Sequence, residues 1–336
     1  MPERQWLDNV VLGVKQESAY GTALDFADLL YRLSYSGEKR AITGEYRSDR
    51  AYLGKGTNHT TVDREVRRDA RWTPEFFLST LSGGLAAGLV LGALAESGSG
   101  PYVSVFTEQD AASSEDAIST TVYTEDGAAK GRLHGCSASQ AAYRWRQGED
   151  ATVALSLIGS GEETAGAHSS LPDVTVPNTI IGANVTTEIG PQGGSYTDFT
   201  SNVFEGSVTL SQVIAEALGY GGNGLYRTRS WFSEYRHRFD IRLLKDGSTT
   251  IRDWARNRTM LQARFTFTHN ANEKIVILFP GCKLLEPRTV AEQGFNAQDV
   301  SPGDDGVFVD GNGTPDEAVE VTVTHPADYG FLAVAS

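Results

Sequence analysis

The sequence predicts a mainly β protein, and three observations carry that prediction. Thirty-six glycines and 11 prolines are spread along the chain, punctuating short runs rich in Val, Ile, Thr, Phe and Tyr. Two long stretches alternate apolar and polar residues with period two on both sides of a polar turn. Helical spacing is confined to short segments.

The elements follow in order. After Thr73, the run through Pro74, Glu75, Phe77, Leu78 and Leu81 reads as a short helix that Gly83 and Gly84 stop. Ala141, Tyr143 and Trp145 alternate with Ala142, Arg144 and Arg146, and residues 147–150 make a turn. Val153, Leu155 and Leu157 answer, which predicts a hairpin with one buried face. Phe239, Ile241 and Leu243 read as a strand and residues 249–257 as a short helix. A second hairpin sets Leu261, Ala263, Phe265 and Phe267 against Ile275, Ile277 and Phe279, with Pro280 and Gly281 ending it. Alternation sends Tyr143, Trp145, Val153, Leu155, Phe265, Phe267, Ile275 and Ile277 to the core, and Thr152, Ser156, Thr266 and Thr268 to the opposite face.

Both halves therefore run strand, short helix, hairpin, and the chain reads as tandem β domains. Residues 1–160 form the first, with a projecting arm at about 36–71, and residues 178–336 the second. Residues 161–177, rich in Gly, Ser, Glu and Pro, read as a linker. The arm holds nine basic and six acidic residues with few large apolar ones. Acid is concentrated in residues 108–126, which lack a base, and in residues 286–317, where eight acids accompany Arg288 alone.

At 336 residues the chain is long enough for a large core. Its net charge of −14 and pI near 4.9 argue against DNA grasping or attraction to anionic lipid. The longest apolar stretch, residues 85–95, is too short to span a bilayer, and the first residues lack an export signal. Cys136 and Cys282 read as small core residues, and Trp72, Trp145, Trp231 and Trp254 as core or interface residues.

No catalytic, cofactor or metal constellation emerges. The six histidines lack the i, i+4 spacing of a zinc pair. The run GYGGNG at 219–224 lacks the Lys and Ser/Thr of a phosphate loop, and DGNGTPDE at 310–317 lacks the glycine and final glutamate of a calcium loop. Nothing in the sequence demands an enzyme.

Residues 12–24 read LGVKQESAYGTAL. Through Gly13, Lys15, Glu17, Tyr20, Gly21, Thr22 and Ala23 this run resembles the opening signature of the long-tailed bacteriophage major tail tube proteins. Similar proteins continue with a charged arm, here 37–71, a short helix after a proline, here 74–81, and a hairpin entered through a Gly-small pair, here Gly135 and Cys136. Residues 280–284 resemble the family's proline-terminated strand, and AEQGFNAQDV followed by VEVTVTH resembles its closing pair of strands.

The resemblance implies tandem tail-tube-type β-sandwich or barrel domains and a structural role in a virion tail, after assembly in the host cytoplasm. Copies form stacked rings, trimeric with pseudo-sixfold symmetry if both hairpins line one lumen, or hexameric if one half does. Implied partners are other copies, a tape-measure protein in the lumen, and tail terminator and tail tip proteins. DNA passes without specific binding, and no membrane or cofactor is involved. Arg47, Arg50, Arg64, Arg67 and Arg68 are expected to face acids of the next ring. The alternatives are another virion ring protein, such as a terminator or connector, or a carbohydrate-binding or enzymatic β-sandwich.

Overall fold

The computed structural model describes residues 9–12, 16–22, 35–37, 41–49, 62–110, 116–126, 129–160, 163–165, 178–218, 227–245, 249–292, 295–303, 306–308 and 317–332. Within these the chain is mainly β, with two antiparallel sheets and two α-helices. The first strands are β1 (Asn9–Leu12), β2 (Tyr35–Gly37), β3 (Ala41–Asp49), β4 (Val62–Trp72) and β5 (Pro74–Phe77). Helix α1 (Thr80–Leu91) follows, then β6 (Gly92–Ser97), β7 (Tyr102–Glu108), β8 (Thr120–Asp126), β9 (Ala129–Arg146), β10 (Thr152–Gly159) and β11 (Glu163–Ala165). Next come β12 (Val185–Pro191), β13 (Thr197–Asp198), β14 (Val203–Leu218), β15 (Arg227–Tyr235) and β16 (Arg238–Leu244). After α2 (Thr250–Arg256) lie β17 (Leu261–Asn270), β18 (Glu273–Cys282), β19 (Arg288–Glu292), β20 (Phe295–Val300), β21 (Val307–Phe308) and β22 (Glu320–His325).

The larger sheet runs β19-β20-β16-β14-β9-β10-β4-β3. Strands β15, β8, β11, β5, β2 and β1 attach along its flanks. The smaller runs β13-β12-β17-β18-β22-β7-β6, with β21 on β18. Strands from before and after residues 161–177 hydrogen-bond in both sheets: β9 pairs with β14, and β7 with β22. One continuous set of buried side chains joins the two sheets. Within 161–177 itself, Glu163–Ala165 pairs with β9.

Both hairpins form as their alternation requires. Tyr143, Trp145, Val153 and Leu155 are buried in β9–β10, as are Phe265, Phe267, Ile275 and Ile277 in β17–β18. Thr152, Ser156, Thr266 and Thr268 are half-buried on the other faces. The hairpins belong to different sheets and pack face to face, with the Trp145 ring 5.6 Å from Phe265 and 5.3 Å from Phe267. Each such side chain contributes about 2 kcal/mol by leaving water.

Three elements differ from the sequence reading. Residues 74–77 are a strand, because Phe76 points inward and Glu75 pairs with Ala154 of β10. The helix begins only after Ser79, whose hydroxyl accepts the Ser82 N–H at 3.1 Å while Ser82 Oγ accepts the Ser79 N–H at 2.9 Å. Gly83 and Gly84 lie inside this wholly buried helix. Their missing side chains admit Ile275 and Phe331, which a Cβ would meet at 2.4 and 2.5 Å. Pro280 also does not end its strand. It sits where the β17–β18 register shifts between Leu261 and Ala263, and the strand continues to Cys282 against β21.

The two C-terminal runs both form strands, but β20 lies in the larger sheet and β22 in the smaller. Among the described residues no helix is long and apolar enough to cross a membrane.

Candidate assembly surfaces

The N-terminal signature folds into a buried anchor. Glu17 is 3% exposed, and its carboxylate accepts only from donors. Thr121 Oγ1 donates at 2.7 Å, Ser119 Oγ at 2.8 Å, the Gly135 N–H at 2.9 Å and the Gly21 N–H at 3.0 Å. Its own N–H donates to the Ser119 carbonyl at 2.9 Å. Gly135 has a φ of +64°, and a Cβ there would lie 2.9 Å from Tyr20 Cζ, so glycine is required twice over. Glu17, Tyr20 and Gly21 thus meet the Gly135–Cys136 entry to the hairpin. Gly13, Lys15 and Ala23 lie outside the described residues.

The solvent face of the larger sheet carries a row of alternating charge, fixed by register. Arg288 of β19 stands opposite Asp299 of β20, Asp299 opposite Arg242 of β16, Arg242 opposite Glu205 of β14, and Glu205 opposite Arg146 of β9. Arg242 bonds Glu205 at 2.7 Å and Asp299 at 2.8 Å. Arg146 lies 3.7 Å from Glu205 and 3.6 Å from Glu149 in the β9–β10 turn. Beside this row Arg144 approaches Glu75 at 3.6 Å, and Thr152 Oγ1 donates to Glu75 at 2.8 Å. An open groove of about 610 Å³ runs along it, lined by Glu75, Arg144, Arg146, Glu205 and Arg242 among others. The face is polar, and its opposite charges are largely paired within the sheet.

The charged arm enters this sheet as the β3–β4 ribbon. Ala70, Arg71 and Trp72 pair with β10, whereas β4 from Val62 to Asp69 pairs with β3 alone. Arg47 stands opposite Arg64, Arg67 opposite Glu45, and Arg68 opposite Gly44. Arg50 and the tip between the two strands lie outside the described residues. The structure brings Arg47, Arg64, Arg67 and Arg68 onto one ribbon.

Three buried polar clusters have no counterpart among the motifs of the sequence. His237 donates through Nε2 to Glu108 at 2.8 Å while its Nδ1 accepts the Ser211 N–H at 3.2 Å. His325 stacks between Tyr102 and Tyr329, with ring centroids 5.8 and 4.8 Å away, and its Nε2 lies 2.8 Å from Ser104 Oγ. Gln212 donates to the carbonyls of Leu89 and Ala138, locking the end of α1 onto the larger sheet. All three unite residues far apart in sequence, so no local spacing signals them. Cys136 and Cys282 are buried free thiols, and burial pushes the Cys282 thiol up to about 12. Trp72 and Trp145 are buried, while Trp231 and Trp254 are half-buried. Among the described residues no group of three or more His, Cys, Asp or Glu side chains could hold a metal ion. Residues 219–224 and 310–316 lie outside the described residues. No protein-family model and no curated protein matches the chain.

Proposed function

We propose that the chain is the structural subunit of a phage tail tube, repeating in stacked rings that guide a tape-measure protein and later DNA. The observation that carries this reading is the N-terminal run, whose Glu17, Tyr20 and Gly21 are built into the fold as an anchor on Gly135. The larger sheet supports it by ending in two unlike edges, β19 on one side and β2 and β3 on the other. Unlike edges suit head-to-tail contacts, which close into rings. A pI near 4.9 and a net charge of −14 suit a conduit that does not hold DNA.

The two hairpins lie in opposed sheets, so a single lumen wall cannot take both as equivalent strands. Six copies per ring, each giving one sheet to the wall, fit this packing better than three. The β3–β4 ribbon is the part suited to reach the neighbouring ring, with tail terminator and tail tip proteins meeting the tube's ends.

Sedimentation velocity over a wide concentration range tests the assignment. Ring-sized and larger species that grow with concentration are expected, and a chain that stays monomeric under every assembly condition would remove it.

A further inference from the structure

The alternating row on the larger sheet has two chemically different ends. At one edge Arg288 is exposed on the outermost strand, β19, and among the described residues it has no carboxylate within ion-pair distance. At the other end the row finishes in acids. Glu149 and Asp150 are exposed in the β9–β10 turn, with Glu75 close by on β5.

Four of the five large exposed apolar residues among those described lie toward these two ends, Val213 on β14 being apart from them. Among the described residues the large exposed hydrophobics are Phe77, Ile181, Val213, Leu244 and Leu285. Leu285, 58% exposed, lies three residues before the start of β19, and Leu244 lies two residues beyond Arg242 on the same face. Phe77, 52% exposed, stands opposite Thr152 just past the stretch of β5 that β2 covers. Ile181 bridges Asp150 and borders a hollow with Glu149. One end therefore offers Arg288 and two exposed leucines, with the neighbouring Glu286 taken up by Arg256, and the other offers Asp150, beside the Glu149 that Arg146 approaches, with an exposed phenylalanine and isoleucine.

We propose that these ends dock on each other between copies of this chain, the Arg288–Leu285 end of one copy entering the Glu149–Asp150–Ile181 end of the next. The inference rests on the ring reading and deepens it by naming the lateral contact. The occupant follows from complementarity. A second copy is the partner that meets both ends at once and carries the sign alternation unbroken from Arg288 into the acids of its neighbour. Charge alternation then sets register, and the apolar residues supply burial. Because the two patches differ, the contact is head to tail and can close only as a ring or continue as a helix.

Within one copy the row is partly solvent-exposed and contributes little to stability, so its charges can be exchanged without loss of the fold. The test compares wild type with Arg288→Glu, Glu149→Arg and the double variant, each checked for an unchanged melting midpoint. Light scattering then reads the concentration at which assembly begins. Each single variant should raise that concentration by about tenfold or more, and the double variant should return it to within about threefold of wild type. As a second readout, a chain carrying both Arg288→Cys and Glu149→Cys should form disulfides between copies on oxidation. Wild type and single variants that assemble alike would overturn this contact and leave the tube reading standing, as would a double variant no better than the singles. A wild-type chain that never assembles would overturn both.

Discussion

The carboxylate of Glu17 and the backbone N–H of Gly135 are joined at 2.9 Å across a sequence separation of 118 residues. That bond ties the N-terminal signature to the strand that becomes the first hairpin. Replacing Glu17 by Ala leaves the donors on Gly21, Ser119, Thr121 and Gly135 without their acceptor and should cost about 3 kcal/mol. Glu17→Gln should be nearly as damaging, since its amide turns a donor toward other donors. Urea titration reads both, and a glutamine variant as stable as wild type contradicts this account of the anchor.

Phe331 occupies the space that Gly84 leaves on α1. In an exposed helix Gly→Ala gains about 1 kcal/mol, but here the new methyl would lie 2.5 Å from the Phe331 ring, which is held by Phe106, His325 and Tyr329. Gly84→Ala should therefore destabilise, and Phe331→Ala alone should cost about 3 kcal/mol. The double variant should lose at least about 1 kcal/mol less than the sum. Strict additivity in thermal or urea unfolding counts against this packing.

Alkali should weaken the fold. Burial raises the Cys282 thiol to about 12 and the Tyr143 phenol well above its ordinary value, with the Tyr143 hydroxyl donating to the Gly83 carbonyl at 2.7 Å. The native state then holds these protons more tightly than the unfolded chain, so stability falls as pH rises from the ordinary thiol value near 9 toward 12. The urea midpoint should drop steadily above pH 9, and Cys282 should resist thiol reagents at pH 8 until the chain unfolds. A flat midpoint to pH 11 contradicts the burial of these groups.

The hairpins were legible because period two needs only local sequence: Trp145 and Phe265 announce their faces within a few residues of themselves. Their partnership across the core was not, since nothing local says that β9–β10 and β17–β18 belong to opposed sheets. The start of α1 is hidden in the sequence for a related reason. Pro74 and Glu75 imitate a helix start, but pairing with β10 takes them into a strand, and the Ser79–Ser82 cap outweighs them. Of the candidate surfaces, the signature and the basic arm were visible as runs. The charge row was invisible, because Arg288, Asp299, Arg242, Glu205 and Arg146 come together only through the register of five strands.

Removing residues 45–58 should separate folding from assembly. Only residues 70–72 of β4 pair with β10, so the sheet retains its attachment without the far part of the ribbon. The shortened chain should melt within about 3 °C of wild type, as expected for a change of under about 1 kcal/mol, yet fail to stack rings. Normal tubes from this variant would remove the ribbon from the inter-ring contact.

Negative-stain electron microscopy of the purified chain at rising concentration tests whether the chain is a tube subunit. Rings of six copies that stack into tubes of uniform width are expected. Particles that remain single subunits at every concentration and salt would contradict that role.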